Sequence, residues 1–143
     1  MTNLLSKGFN VDLKFGLHII PFYAGILTLL YIGLTAQVIN LRRLLRVGIG
    51  DGGKHELKRA IRVHANFGEY IPLTLILMAF AELKGLENNW LHVCGSTLIL
   101  SRLLHAFGLG KNPGTSPGRF LGSAINYILM IGISVYLIIG FFN

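Results

Sequence analysis

Lys58, Arg62, Asn66 and Glu69 fall in a segment that beyond Pro72 runs on into the charge-free stretch "LTLILMAFA". At about 100° per residue they sit near −40°, 0°, +40° and −20° around a helix, so all four share one stripe. Arg62 and Glu69 are about 10 Å apart along the axis, a loose approach that leaves Asn66 between them as a bridge. Pro72 removes the backbone hydrogen bond to Gly68, which predicts a kink with a freed carbonyl at the stripe. Ionisable groups inside such a segment face a bundle or a cavity and have partners. The same residues also suit an interfacial anchor, with Arg62 snorkelling and Asn66 and Glu69 pairing with neighbouring helices. Spacing alone leaves binding site and anchor equally open.

Other basic residues favour a site. Arg42 and Arg43 close the first apolar run, Arg102 lies near the end of the third with His105 one turn on, and Arg119 opens the fourth. This is more positive charge than Glu69 can neutralise, so the cluster points to an anionic ligand or lipid headgroups.

The elements that position these residues are long and apolar. The chain has 143 residues, 52% of them hydrophobic and 13% charged. A soluble domain carries about 25% charged residues. The sequence therefore reads as one all-α integral membrane domain over 1–143, a four-helix bundle with helices at about 15–41, 56–82, 88–108 and 119–142. A barrel would need many alternating segments of about ten residues. The first run extends past signal-peptide length and reads as a spanning helix. Net charge is +7, yet the basic residues lie in the gaps between apolar runs, which excludes a nucleic-acid face.

Lysine and arginine place the loops. The first loop region carries Arg42, Arg43, Arg46, Lys54, Lys58, Arg59 and Arg62, and the third carries Arg102, Lys111 and Arg119, against Lys7, Lys14 and Lys84 on the other side. The first and third loops are expected in the cytoplasm, together with the polar stripe. Gly16, Gly25, Gly33, Gly95, Gly122, Gly132 and Gly140 interrupt the apolar runs. Such glycines let membrane helices approach closely, and a thin bundle of four suggests an oligomer. Pro113 and Pro117 place the third connection in a loop.

Several features are bland. Cys94 is the single cysteine and reads as packing. His18 and His92 have no metal-ligand spacing and read as structural or interfacial. The "GIGDGG" run is followed by Lys54-His55 and lacks the Lys-Ser/Thr of a phosphate loop. Tyrosines and phenylalanines on the first and fourth helices read as bilayer or interface residues.

The pattern Arg62-x-x-x-Asn66-x-x-Glu69-Tyr70-x-Pro72 resembles the signature of the membrane-associated proteins in eicosanoid and glutathione metabolism, the MAPEG family, in its bacterial branch. Size, helix count, the Arg42-Arg43 pair, Arg102 and Arg119 fit the resemblance across nearly the whole chain. The family includes microsomal glutathione transferases, leukotriene C4 synthase and prostaglandin E synthase. The resemblance implies a homotrimer in a bacterial inner membrane, binding glutathione as co-substrate between subunits near the cytoplasmic end, with no metal. It implies glutathione contacts from Arg62, His64, Asn66, Glu69 and Tyr70, with Arg42, Arg102 and His105 completing the set and Arg119 stabilising the thiolate. Glutathione carries two carboxylates, which suit arginine clamps, and an ammonium, which suits Glu69. Its nucleophile is the thiolate, favoured by a nearby guanidinium. The expected reaction is conjugation to an apolar electrophile, or reduction of a lipid hydroperoxide, with the hydrophobic partner entering from the bilayer.

The chain departs from the pattern on the third helix, where several relatives place tyrosines and this sequence has His105 and Leu109. Phe120 follows Arg119 where one relative has serine. Two other functions stand beside the transferase: a non-catalytic lipid-binding scaffold of the same family, and a small transporter lined by Arg62 and Glu69. The stripe fades at Pro72, which disfavours a polar path across the membrane.

Overall fold

The computed structural model describes residues 16–111 and 117–142. Lys7, Lys14, residue 15 and Pro113 lie outside the described residues, as do the side chains of Leu109 and Lys111. Four helices follow in order: α1 Ile20–Leu45, α2 His55–Leu83, α3 Asn88–Lys111 and α4 Pro117–Ile139. Among the described residues α1 and α4 are long and apolar enough to cross a membrane. Helix α2 is the longest at 29 residues, but its first half holds the polar stripe.

Local chemistry sets the boundaries. Helix α1 starts later than the apolar run because Pro21 occupies its first turn, where a missing N–H costs nothing. It continues past residue 41 and takes Arg42 and Arg43 into its last turn. Positive charge there complements the negative helix end. Arg46 ends it in the left-handed region at φ 54°. Pro117 is the first residue of α4 rather than part of the preceding loop, the one helical position that proline suits. Helix α2 runs unbroken through Pro72.

The outside of the chain is apolar. Phe22, Leu29 and Ile32 on α1 and Ile128, Ile131 and Ile138 on α4 are exposed, as a lipid-facing surface requires. Inside, Tyr23 and Leu27 of α1 meet Phe67, Ile71 and Met78 of α2 and Leu91 and Leu98 of α3. The Tyr23 ring lies flat over Gly95, where an added Cβ would come within 2.4 Å of it. Its hydroxyl reaches His92 Nδ1 at 3.0 Å and donates to His92 O at 3.2 Å. His92 thus has the structural role expected of it.

Helices α3 and α4 make the most extensive contact of any pair. Gly118 and Gly122, four residues apart, form the seam. A Cβ on Gly118 would sit 3.1 Å from Leu104 O, and one on Gly122 2.5 Å from Ser101 O and 2.7 Å from His105 N. The close approach expected of the glycines thus holds at Gly95 and Gly122. Gly25, Gly33 and Gly132 have nothing within 4 Å in the single chain.

One carboxylate ties the far ends of α1 and α2. Glu82 Oε1 accepts from His18 N at 2.7 Å and Ile19 N at 2.6 Å, and Oε2 accepts from Ile20 N at 2.9 Å. Helix α1 has no side-chain cap of its own. Its orphan donors are satisfied from the last turn of α2.

Candidate functional site

The stripe on α2 points out of the bundle. Lys58, Arg62 and Glu69 are exposed, and Arg62 Nη1 donates to Glu69 Oε1 at 3.3 Å. The pair closes directly over seven residues, so the expected bridge through Asn66 is not used. Asn66 instead turns inward, where its Oδ1 accepts from Arg102 Nη1 at 3.2 Å. Glu69 is the midpoint of α2. That helix is about 43 Å long, against a hydrocarbon core of about 30 Å. Were α2 to cross a bilayer, a carboxylate so placed could not face lipid without large cost.

Arg102 is the hub. Its residue is 3% exposed, yet the guanidinium bonds only neutral acceptors: Ser101 Oγ, Asn66 Oδ1 and Gly122 O, each at 3.2 Å. These contacts fasten α2, α3 and α4 together and leave two of its five N–H donors over. Among the described residues no carboxylate forms an ion pair with it. The charge is held in place and left unneutralised, which suits an anion.

The glycine seam brings two more groups to this point. His105, buried one turn beyond Arg102, packs against the backbone of Gly122. Arg119 stands three residues before Gly122, and the charges of Arg102, Arg119 and Arg62 all act on the His105 ring. The arginines are supplied by three different helices. Beside them Tyr127 of α4 donates its hydroxyl proton to the Tyr70 hydroxyl at 2.9 Å, the rings meeting edge to face at 5.5 Å. Tyr127 also lies within the fields of Arg102 and Glu69. Its role differs from the bilayer-facing one expected of the α4 aromatics, because the rotation of α4 turns this tyrosine toward α2.

Arg62, Asn66, Glu69, Tyr70, Arg102, His105 and Arg119 are thus gathered by one chain. Arg42 and His64 are not. Arg42 Nη1 donates to Gly50 O at 2.9 Å and to Gly48 O at 3.4 Å, holding the loop after α1. His64 lies on the α1 side of α2, its Nε2 3.0 Å from Thr35 Oγ1 and its ring stacked on Tyr31 at 4.5 Å. The implied contacts therefore fall into two groups on different faces of the chain.

The MAPEG family pattern matches this chain over residues 20–139. The inner membrane protein YecN of Escherichia coli strain K12 is 44% identical over 86 residues, which cover 60% of this chain and 66% of that protein. The YecN protein of an Escherichia coli O6:H1 strain matches to the same extent. The aligned stretch thus spans just under two thirds of these relatives' length.

Proposed function

The chain belongs to the MAPEG family, a family of helical membrane proteins, and from that premise we propose that it is an inner-membrane, multi-pass glutathione transferase working as a homotrimer. The observation that carries the proposal is the buried Arg102 guanidinium, bonded among the described residues to neutral acceptors, one of them Asn66 of the α2 stripe, with the Tyr70–Tyr127 hydroxyl pair joining α2 to α4. Glutathione is a zwitterion with an excess of negative charge. Arg62 and Glu69 exchange their mutual contact for its carboxylate and its ammonium. Each residue keeps an opposite charge, so the swap costs little Coulomb energy. Arg102 spends its two remaining donors on the second carboxylate.

The two-faced distribution supports the homotrimer. Heterologous packing of three copies sets one chain's Arg42–His64 face against the Glu69 face of the next, and the ring closes. It also covers a carboxylate that would otherwise face lipid. Two grooves then matter. The apolar one, lined by Leu27, Phe67, Ile71 and Leu75 between α1 and α2, lies on the face of α2 opposite the stripe, so this packing turns it toward the stripe of a neighbouring copy. It offers an electrophile a route from the bilayer. The active site itself opens to the basic-loop side, which the charge count places in the cytoplasm.

Arg119 stabilises the thiolate. The sulfur attacks an electrophilic carbon, the new C–S bond forms, and the leaving group departs with its electron pair. With a hydroperoxide the same sulfur attacks the terminal oxygen, the O–O bond breaks, the alkoxide leaves and takes a proton to become the alcohol, and a second glutathione thiol converts the sulfenic acid to disulfide and water. Detergent-purified protein should show thiolate absorbance with glutathione and turn over a chlorinated nitroaromatic. Removing one preorganised charge stabiliser should make Arg119→Ala about 100-fold slower while it still binds glutathione. Binding without turnover by the wild type, with any electrophile or peroxide, would favour the lipid-binding scaffold instead.

A further inference from the structure

A cavity of about 490 Å³ lies between α1, α2 and α3 at the basic-loop end, and it contains none of the residues assigned above. On α3 it takes Leu103, Ala106 and Phe107, and neither Arg102 nor His105 lines it. Its inner wall is apolar. Its rim holds Glu56 and Arg59 on α2 and Gln37 on α1. Glu56 and Arg59 share one cavity and carry opposite charges, yet neither forms an ion pair among the described residues.

We infer that this cavity holds a phospholipid whose head carries a phosphate and a primary ammonium. The order of groups along α2 carries the argument. Helix α2 enters from the loop at His55, so Glu56 is outermost and Arg59 lies one turn deeper, about 4.5 Å along the axis. Val63 is a further turn in, level with the apolar wall. An aminophospholipid has the same sequence of chemistry: ammonium outermost, phosphate next, acyl chain below. Arg59 clamps the phosphate, Glu56 takes the ammonium, and Gln37 is placed for an ester carbonyl. The acyl chain lies along Leu34, Val63 and Leu103. A cavity of this volume is of ordinary ligand-site size. The surrounding loop is strongly basic, so a site for an anionic lipid would not place Glu56 at the rim, where it repels a phosphate lacking a compensating ammonium. The inference does not rest on the transferase reading.

The test is lipid retention by the full chain, purified in mild detergent and exchanged against mixed micelles of defined composition. The probes are phosphatidylethanolamine, phosphatidylcholine and phosphatidylglycerol at equal concentration, read by native mass spectrometry and phosphate analysis. The wild type should retain phosphatidylethanolamine with a preference of about tenfold over the other two, the ratio one charge-assisted hydrogen bond supports. Arg59→Ala should lose retention of all three. Glu56→Gln should keep retention and abolish the preference. Ala106→Leu, which fills the wall without altering a charge, should lower retention. Glu56 is exposed, so its variant folds even if Arg59→Ala does not, and circular dichroism checks both. The inference is overturned if the wild type retains no phospholipid, if it prefers phosphatidylglycerol, or if Glu56→Gln leaves the preference unchanged. Protection of Ala106→Cys from a thiol reagent in a lipid-free oligomer would assign the cavity to a second copy and also overturn it.

Discussion

Replacing Glu69 by glutamine removes one charge and nearly preserves shape, so it separates what this residue does for the fold from what it does for a ligand. In the structure Glu69 makes one 3.3 Å contact with Arg62, and the side chains are 47% and 63% exposed. With the site open to water from the basic-loop side, such a pair contributes at most about 1 kcal/mol, and the glutamine oxygen can still accept from Arg62. The melting temperature should fall by about 4 °C or less. The ammonium of glutathione is different, because a charge-assisted hydrogen bond in a site gathered around arginines is worth about 1.5–3 kcal/mol. Its loss corresponds to roughly 10- to 150-fold weaker binding. Calorimetry with glutathione, and with the analogue in which hydrogen replaces the γ-glutamyl amine, reads the difference. Glu69→Gln should weaken glutathione by that factor and leave the analogue nearly unchanged. Equal weakening of both would refute the assignment of Glu69 to the amine, as would a large loss of stability without any change in affinity.

Three further outcomes follow from the packing. Gly122→Ala sets a Cβ 2.5 Å from Ser101 O and 2.7 Å from His105 N, backbone atoms that cannot yield. It should cost about 1–3 kcal/mol in thermal denaturation and reduce turnover, whereas Gly132→Ala, with open space around it, should do neither. Tyr127→Phe removes the donor to Tyr70, worth about 0.5–1.5 kcal/mol, and should lower the melting temperature by about 2–6 °C in a detergent melt. Glu82→Ala strips the cap from α1 and should cost about 0.5–2 kcal/mol in a detergent melt while leaving thiolate absorbance with glutathione intact.

The helices were legible in the sequence because apolar runs separated by basic and glycine-rich stretches mark them, whereas the starts set by Pro21 and Pro117 were not read there. The stripe on α2 was legible because its four residues depend only on the helical period. Arg102 and Arg119 could be placed near it by depth. Rotation about each axis could not be read. Whether Asn66 bridges Arg62 and Glu69 or turns to Arg102 depends on where α3 sits, and Tyr127 reaches Tyr70 only because the seam at Gly118 and Gly122 fixes the face α4 presents. That seam has a sequence signal, two glycines four apart at the head of α4, and it could have directed attention to the residues beside it. The Glu82 contact has none: a lone acid near a helix end looks like any solvated residue until its partners, more than sixty positions away, are known.

The Glu82 contact also bears on how the chain enters a membrane. The amides at the start of α1 emerge from the ribosome long before Glu82 exists, and until then no side chain of α1 caps them. Bare donors are poorly tolerated in lipid. The first helix is therefore incomplete as an independent insertion unit. On the multi-pass reading proposed above, its leading end stays in water or in the translocation machinery until the second helix has crossed and delivered the carboxylate. The two helices should be released into the bilayer as a hairpin, and truncation before residue 82 should leave α1 easily extracted by alkali where truncation after it does not.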